Sequence, residues 1–466
     1  MSERYPLEPA PDQMRAMGEA AVRLLERFVR DLPDAPAVDL DGAVGRAEEV
    51  RRPPPDRGRR FDEVLGQVWR AAEKGFNTAG PGYLAYIPGG GLYAAALGDF
   101  LASGLNRFVG LWTPAPALAQ IEWTVLRWLG ELFGYPESMR GILTSGGSMS
   151  NLSAIVTARV AQLGDDFLDG TMYVTDQTHA SVTKAARLAG LPARSVRTVP
   201  TDRGLRMDVD AFRSMVKEDR DAGRRPFLVV PSAGTTNTGA VDPLAETAAV
   251  AEEEGLWAHV DGAYGGFFQL TERGRDRFRG IERADSITLD PHKAMFLPYG
   301  TGALLVRDGT LLRDAHAAEG DYLQDLGSEE EIPNFTEYSP ELSRPFRGLS
   351  MWLPLQLHGV DAFRAALDEK LDLAGFVHLE IRAMPELEVP WEPELSVVAF
   401  RIAGGDDRRN AALLDRINGS RRVFLSSTRI GGRHWIRVCI VSHRTHRDRV
   451  EEAVDIIGAA ARELRA

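Results

Sequence analysis

The chain has 466 residues, long enough for a large core and more than one domain. Its apolar and charged fractions, 44% and 26%, are those of an ordinary globular protein, and its net charge of −12 argues against nucleic acid or an anionic membrane surface as a partner. The single cysteine, Cys439, excludes an intrachain disulfide and a cysteine-based metal cluster, and no apolar run suggests a signal peptide or a membrane span, so a cytoplasmic location is expected.

Residues 11–32 read as a helix with apolar positions at helical spacing, and a polar, proline-rich connector, RRPPPDRGRRF, starts at Arg51. Two further helical patterns cover 92–109 and 115–133. From Gly141 short apolar, β-branched runs alternate with helical stretches. The predicted strands are 141–145, 171–176, 195–200, 227–232, 256–261, 286–290 and 302–307. Helices are predicted at 148–163, 179–189, 208–222 and 243–254. Strands that are apolar throughout, alternating with helices, predict a mostly parallel seven-stranded α/β sheet with helices on both faces. The tight connection between the last two strands predicts that one of them runs antiparallel. Beyond residue 345, one long helix, strands at 394–402 and 434–441, and a terminal helix at 446–465 predict a small α+β domain. The expected division is an N-terminal helical segment (1–80), a large domain (81–345) and a small C-terminal domain (346–466).

In open α/β sheets, ligands bind at the carboxyl ends of the strands. Five features fall there. TSGGSMSN (144–151) joins a strand to a helix; its small residues, its hydroxyls and the helix N-terminus suit an anion, and no Walker lysine follows. Asp261 closes an apolar strand in HVDGAYGG and needs a cationic partner if buried. His259, earlier on that strand, is expected to face away from Asp261 as a core histidine. A metal reading lacks further ligands. His179 follows a strand end in DQTHAS and could lie flat on an aromatic ligand. Adjacent threonines in GTTNTGA supply hydroxyls. Lastly, the chain holds only five lysines, Lys74, Lys184, Lys217, Lys293 and Lys370. Four lie in polar or amphipathic helical text, whereas Lys293 lies in the nearly apolar LDPHKAMFLPYG. A lysine so placed is a usable amine nucleophile for a Schiff base.

Each feature alone is equally what a glycine-rich turn, a helix cap or a strand-end lysine would show. Together they describe a site for a planar, phosphorylated, nitrogen-containing aldehyde, which is pyridoxal 5'-phosphate. In that reading the phosphate sits on the helix N-terminus, Asp261 partners the ring nitrogen and Lys293 forms the Schiff base.

The ordered motifs PGYLAYIPGG (81–90), TSGGSMSN, DQTHAS, GTTNTGA, VDGAYGG, DPHK and ELSRPFRGLSMWLPLQLHG resemble the group II pyridoxal-phosphate decarboxylases, over nearly the whole chain. That family includes aromatic-L-amino-acid, glutamate, cysteine sulfinate and histidine decarboxylases. The resemblance implies the fold type I pyridoxal-phosphate transferase architecture and a homodimer. It implies that Lys293 is the Schiff-base lysine, that Asp261 partners the ring nitrogen and that His179 stacks on the ring and helps place the substrate carboxylate. Ser148, the Met149 backbone, Ser150 and His292 would hold the phosphate, and Thr236 and Ala263 would contact the ring. Tyr86, Ile87 and Pro88 would contact substrate. Tyr322, in EGDYLQDLGSEEE, would protonate Cα after CO2 leaves.

One position departs from the family pattern. Asp290 stands where animal members usually carry asparagine, and a carboxylate beside a phosphate is expected to turn away. The expected activity is decarboxylation of an L-amino acid with an aromatic or otherwise uncharged side chain, since YLAYIPGGGLYAAAL offers no cation for a side-chain carboxylate. GGSMSN is closer to the glutamate and cysteine sulfinate branch. An aminotransferase or decarboxylating aldehyde synthase on the same fold, a glutamate or cysteine sulfinate-type decarboxylase, and a catalytically silent cofactor-binding paralogue are the alternatives.

Overall fold

The computed structural model describes residues 7–317 and 333–465. All seven predicted strands form one sheet: β1 (Arg140–Thr144), β2 (Gly170–Thr175), β3 (Val196–Val199), β4 (Arg225–Val229), β5 (Trp257–Gly262), β6 (Ser286–Leu289) and β7 (Gly302–Val306). Their spatial order is β1-β7-β6-β5-β4-β2-β3. Every residue of β2, β5, β6 and β7 is buried, which explains why these strands read as continuous apolar runs and not as alternating ones. The antiparallel strand is β7, which pairs antiparallel with both β1 and β6. Strands β1 to β6 therefore all point the same way, and their carboxyl ends lie along one edge.

The main helices are α1 (Pro11–Asp31), α2 (Ala43–Glu49), α3 (Phe61–Ala72), α4 (Tyr93–Leu105), α5 (Pro116–Leu132), α6 (Gly147–Leu163), α7 (Ala180–Leu188), α8 (Val209–Asp221), α9 (Leu244–Glu254), α10 (Gly348–Arg382), α11 (Asp407–Gly419) and α12 (Arg447–Arg465), with short helices such as Gly309–His316 between. Helices α2, α3 and α11 were not anticipated. The spacing of Phe61, Val64, Leu65, Val68 and Trp69 is the signal for α3, obscured by the proline-rich text before it. The long helix α10 is broken at Gly359, whose φ of 72° and ψ of 162° lie outside the helical region. Lys370, on α10, is fully buried rather than at a solvated face. Its ammonium donates to the Thr445 carbonyl and to Glu369, both at 2.6 Å.

A second, antiparallel sheet of four strands has the order β8-β9-β11-β10, with β8 (Leu387–Glu388), β9 (Val397–Ile402), β10 (Ser426–Ile430) and β11 (Arg433–Cys439). Cys439 is buried at the end of β11, as the apolar text around it predicts. The unanticipated strand β10 is polar and buries only its two ends.

The segment Pro81–Gly90 joins the two sheets. The Cys439 amide donates to the Leu84 carbonyl at 2.9 Å, and the Tyr86 amide donates to Ser426 Oγ at 2.9 Å. At its other end Gly89 packs on the backbone of His292, where a Cβ would collide with the His292 carbonyl oxygen. Only glycine allows this approach.

Candidate active site

A cavity of about 280 Å³ opens at the carboxyl edge, lined from the ends of β1, β2, β4, β5 and β6. Its floor is the turn from β1 into α6. Gly146 has φ +147°, and a Cβ there would approach His292 Cε1 to 3.1 Å. A Cβ on Gly147 would come within 3.0 Å of both the Ala263 Cβ and Asp290 Oδ2. The turn is braced from inside: the Gly146 amide donates to Thr144 Oγ1 at 3.2 Å, and Thr144 Oγ1 meets the buried Ser150 Oγ at 2.8 Å. The Met149 and Ser150 amides already donate to the Gly146 carbonyl. Gly147 and Ser148 are left to present the open start of α6 to the cavity.

Across the cavity, Asp261 ends β5. Its Oδ1 accepts from the Ala263 amide at 3.1 Å and its Oδ2 from Asn151 Nδ2 at 3.2 Å. His259 does not face away from it. Residues two apart share a face of a strand, and His259 Nε2 lies 3.0 Å from the same Asn151, on its Oδ1. Burial holds the His259 imidazole down to about 4 and keeps it neutral. His179 caps α7, and its Nδ1 accepts from the Ser181 amide at 3.2 Å. Burial also lowers its pKa, with the opposing attraction of Asp261 smaller.

Lys293 stands on the turn Pro291–Ala294 just after β6. Its Nζ pairs with Asp290 Oδ2 at 2.9 Å. The carboxylate of Asp290 has therefore not turned away as expected; it lines the cavity with a side chain only 3% exposed. The cause is local: residues 290 and 293 are neighbours on one helical turn, so the lysine ammonium is the nearest countercharge. His292 Nε2 lies 3.6 Å from the same oxygen, and burial lowers the His292 pKa.

Of the sequence-predicted residues, Ser148, His179, Thr236, Asp261, Ala263, His292 and Lys293 all line this cavity. Met149 and Ser150 belong to the turn behind it. Tyr86, Ile87 and Pro88 do not line it; Ile87 and Pro88 are buried and Tyr86 is half exposed with φ +53°. Tyr322 lies outside the described residues. Ser181, Tyr264 and Asn151 were missed. The repeat of hydroxyl residues at helix starts marks Ser181, whereas nothing local marks Asn151. None of the described lining residues is arginine. The buried Arg344 and Arg347 instead both donate to the Leu143 carbonyl, and they pair with Glu122 and Glu341 respectively.

These residues fit pyridoxal phosphate. The cradle is one that a single added methyl would fill, and the buried His292 Nδ1 beside it has no partner in the described structure. Asp261 offers a carboxylate opposite. Residues 48–403 match the family model for the pyridoxal-dependent decarboxylase conserved domain. The chain belongs to this family. Among curated relatives of this decarboxylase, an aromatic-L-amino-acid decarboxylase of Bacillus atrophaeus is 36% identical over 100% of the chain and 98% of its own length. A phenylacetaldehyde synthase of Arabidopsis thaliana is 27% identical over 96% and 95%. Among solved structures, the Oryza sativa TDC with PLP and tryptamine superposes with a TM-score of 0.93 at 27% identity, over 98% of this decarboxylase and 100% of that chain. The fold type I architecture expected from the motifs is thus the one observed.

Proposed function

We propose that this decarboxylase converts an aromatic L-amino acid to its amine and CO2. The observation that carries the substrate class is the lining of the cavity: among the described residues that line it, Lys293 is the only lysine and none is arginine, which leaves no cation there for a side-chain carboxylate. The relatives named for aromatic substrates support the same reading.

Pyridoxal phosphate, when bound, supplies a ring that accepts the electron pair of the breaking bond. The chain does the rest. Gly147, Ser148 and His292 would hold the phosphate at the start of α6. Lys293 would supply the amine that holds the aldehyde carbon. Asp261, held between two donors, would partner the ring nitrogen. His179 would cover the ring, exclude water and orient the substrate carboxylate. Tyr322 gives a proton to Cα of the product. Replacing Tyr322 by phenylalanine is therefore expected to cut amine formation at least tenfold and to raise the aldehyde share; chromatography of both products checks it, and unchanged amine turnover removes this role.

The same proposal includes a homodimer, a cytoplasmic location and the three-part division of the chain at residues 80 and 345. Support for the dimer comes from α1, which buries none of its 21 residues although Met14, Met17, Val22, Leu25 and Val29 form an apolar stripe. The deciding experiment measures CO2 release from L-tryptophan, L-tyrosine, L-phenylalanine and L-DOPA against L-glutamate and L-cysteine sulfinate. Higher kcat/KM on the aromatic set supports the reading; preference for an acidic substrate overturns it.

A further inference from the structure

A chain of hydrogen bonds runs from the core to both groups that face the proposed ring. It begins at Trp257, whose indole N–H can only donate. It donates to Ser286 Oγ at 2.8 Å. Ser286 Oγ also lies 2.8 Å from His259 Nδ1. The hydroxyl oxygen has two lone pairs, so the indole alone does not set this bond; the other ring nitrogen does, because Nε2 faces Asn151 Oδ1, which can only accept, and Nδ1 is left to accept from Ser286. The proton of neutral His259 is then on Nε2, which donates to Asn151 Oδ1 at 3.0 Å, with Thr288 Oγ1 a second neighbour at 3.3 Å.

Asn151 divides the chain. Its Nδ2 donates to Asp261 Oδ2 at 3.2 Å and to Ser181 Oγ at 3.0 Å. The amide cannot be turned round, because its oxygen would then face a carboxylate and the histidine N–H would face an NH2. Ser181, receiving from Asn151, passes its own hydrogen to His179 Nδ1 at 2.8 Å. The Ser181 amide points at the same nitrogen. His179 Nδ1 therefore accepts twice, and the ring hydrogen lies on Nε2. Every member apart from His179 is buried, and Asn151 is 1% exposed.

We infer that Asn151 is a positioning residue that fixes, through this one-way chain, the ionised Asp261 carboxylate and the Nε2–H tautomer of His179. The significance of both groups rests on the reading of the cavity as a pyridoxal phosphate site, but the direction of the chain does not. It also means that Ser286, which does not line the cavity, acts on cofactor binding. Removing its hydroxyl takes away the donor to His259 Nδ1 and loosens the ring whose Nε2 holds Asn151 Oδ1.

The test has two parts. First, the cofactor-free protein, labelled with 15N-histidine, is examined by long-range proton–nitrogen correlation. His179 and His259, among nine histidines and assigned by single replacement with glutamine, are expected as neutral rings protonated on Nε2. A proton on Nδ1 of either overturns the chain, whether or not the protein binds cofactor. Second, pyridoxal phosphate is titrated into the cofactor-free wild type, Asn151→Ala, Ser286→Ala and Ser286→Thr. Asn151→Ala is expected to weaken binding about tenfold or more, since it removes a hydrogen bond to a charged group. Ser286→Ala is expected to weaken binding several-fold and to shift the His259 Nδ1 resonance, which loses its donor, with Ser286→Thr restoring both. Unchanged affinity in Asn151→Ala, or a loss in Ser286→Ala that Ser286→Thr does not restore, contradicts the inference. A wild type that binds no pyridoxal phosphate while showing the expected tautomers refutes the cofactor reading alone.

Discussion

At the residue scale, Asp290 decides how well the site accepts its cofactor. A buried carboxylate beside an anion cradle opposes a phosphate, and its own Oδ1 finds no partner in the described structure. It also ties up the Lys293 ammonium at 2.9 Å, which has to be released before the amine can react. Asp290→Asn keeps the shape and removes the charge. The expected result is a pyridoxal phosphate Kd lowered roughly tenfold, equivalent to about 1.4 kcal/mol; fluorescence titration of the cofactor-free protein measures it, and weaker binding would mean that the ion pair assists. Lys293 and Asp261 were legible in the sequence because unusual residues in apolar text stand out. Asp290's pairing was not, because its direction depends on a helical turn that only the structure supplies. Asn151 was invisible for a related reason: its partners lie 30, 108 and 110 residues away.

At the element scale, the turn from β1 into α6 forms the proposed anion site, and Gly147 sets two effects against each other. Alanine there would favour the helix by about 1 kcal/mol. Its Cβ would also stand 3.0 Å from Asp290 Oδ2 and from Ala263, inside the space for the phosphate. Gly147→Ala is therefore expected to leave the melting temperature of the cofactor-free protein within a few degrees while weakening cofactor affinity at least tenfold. Equal affinity would show that the phosphate does not approach this turn. Elements with strong periodicity, such as the seven strands of the large sheet and α6 to α9, were legible to within a few residues. Those missed had weak signals: β10 is polar, α2 is short, and α3 follows a run of prolines and arginines. The break in α10 at Gly359 was hidden because apolar spacing continues across it.

At the scale of the whole molecule, one edge gathers the chemistry because β7 runs against its neighbours and leaves β1 to β6 parallel. Sequence could place five motifs on strand ends, but only strand order brings Gly147 and Lys293 into the same cavity. The N-terminal region is the part that a single chain leaves uncovered. Helix α1 shows its apolar stripe to solvent, and Phe100, Leu101 and Leu105 on α4 are also exposed. Sedimentation is expected to give twice the 51.1 kDa chain mass, with Leu25→Glu combined with Val29→Glu shifting the protein towards the single-chain mass. A wild type that sediments as one chain removes the dimer.

The central claim is that Lys293 anchors pyridoxal phosphate in an amino acid decarboxylase, and borohydride reduction of the holoenzyme followed by peptide mass mapping tests it most directly. With only five lysines in the chain, the label can be placed without ambiguity. The account predicts a reduced pyridoxyl phosphate adduct on Lys293 and its disappearance, together with CO2 release, in Lys293→Ala. An adduct on Lys74, Lys184, Lys217 or Lys370, or CO2 release that survives the loss of Lys293, would contradict it.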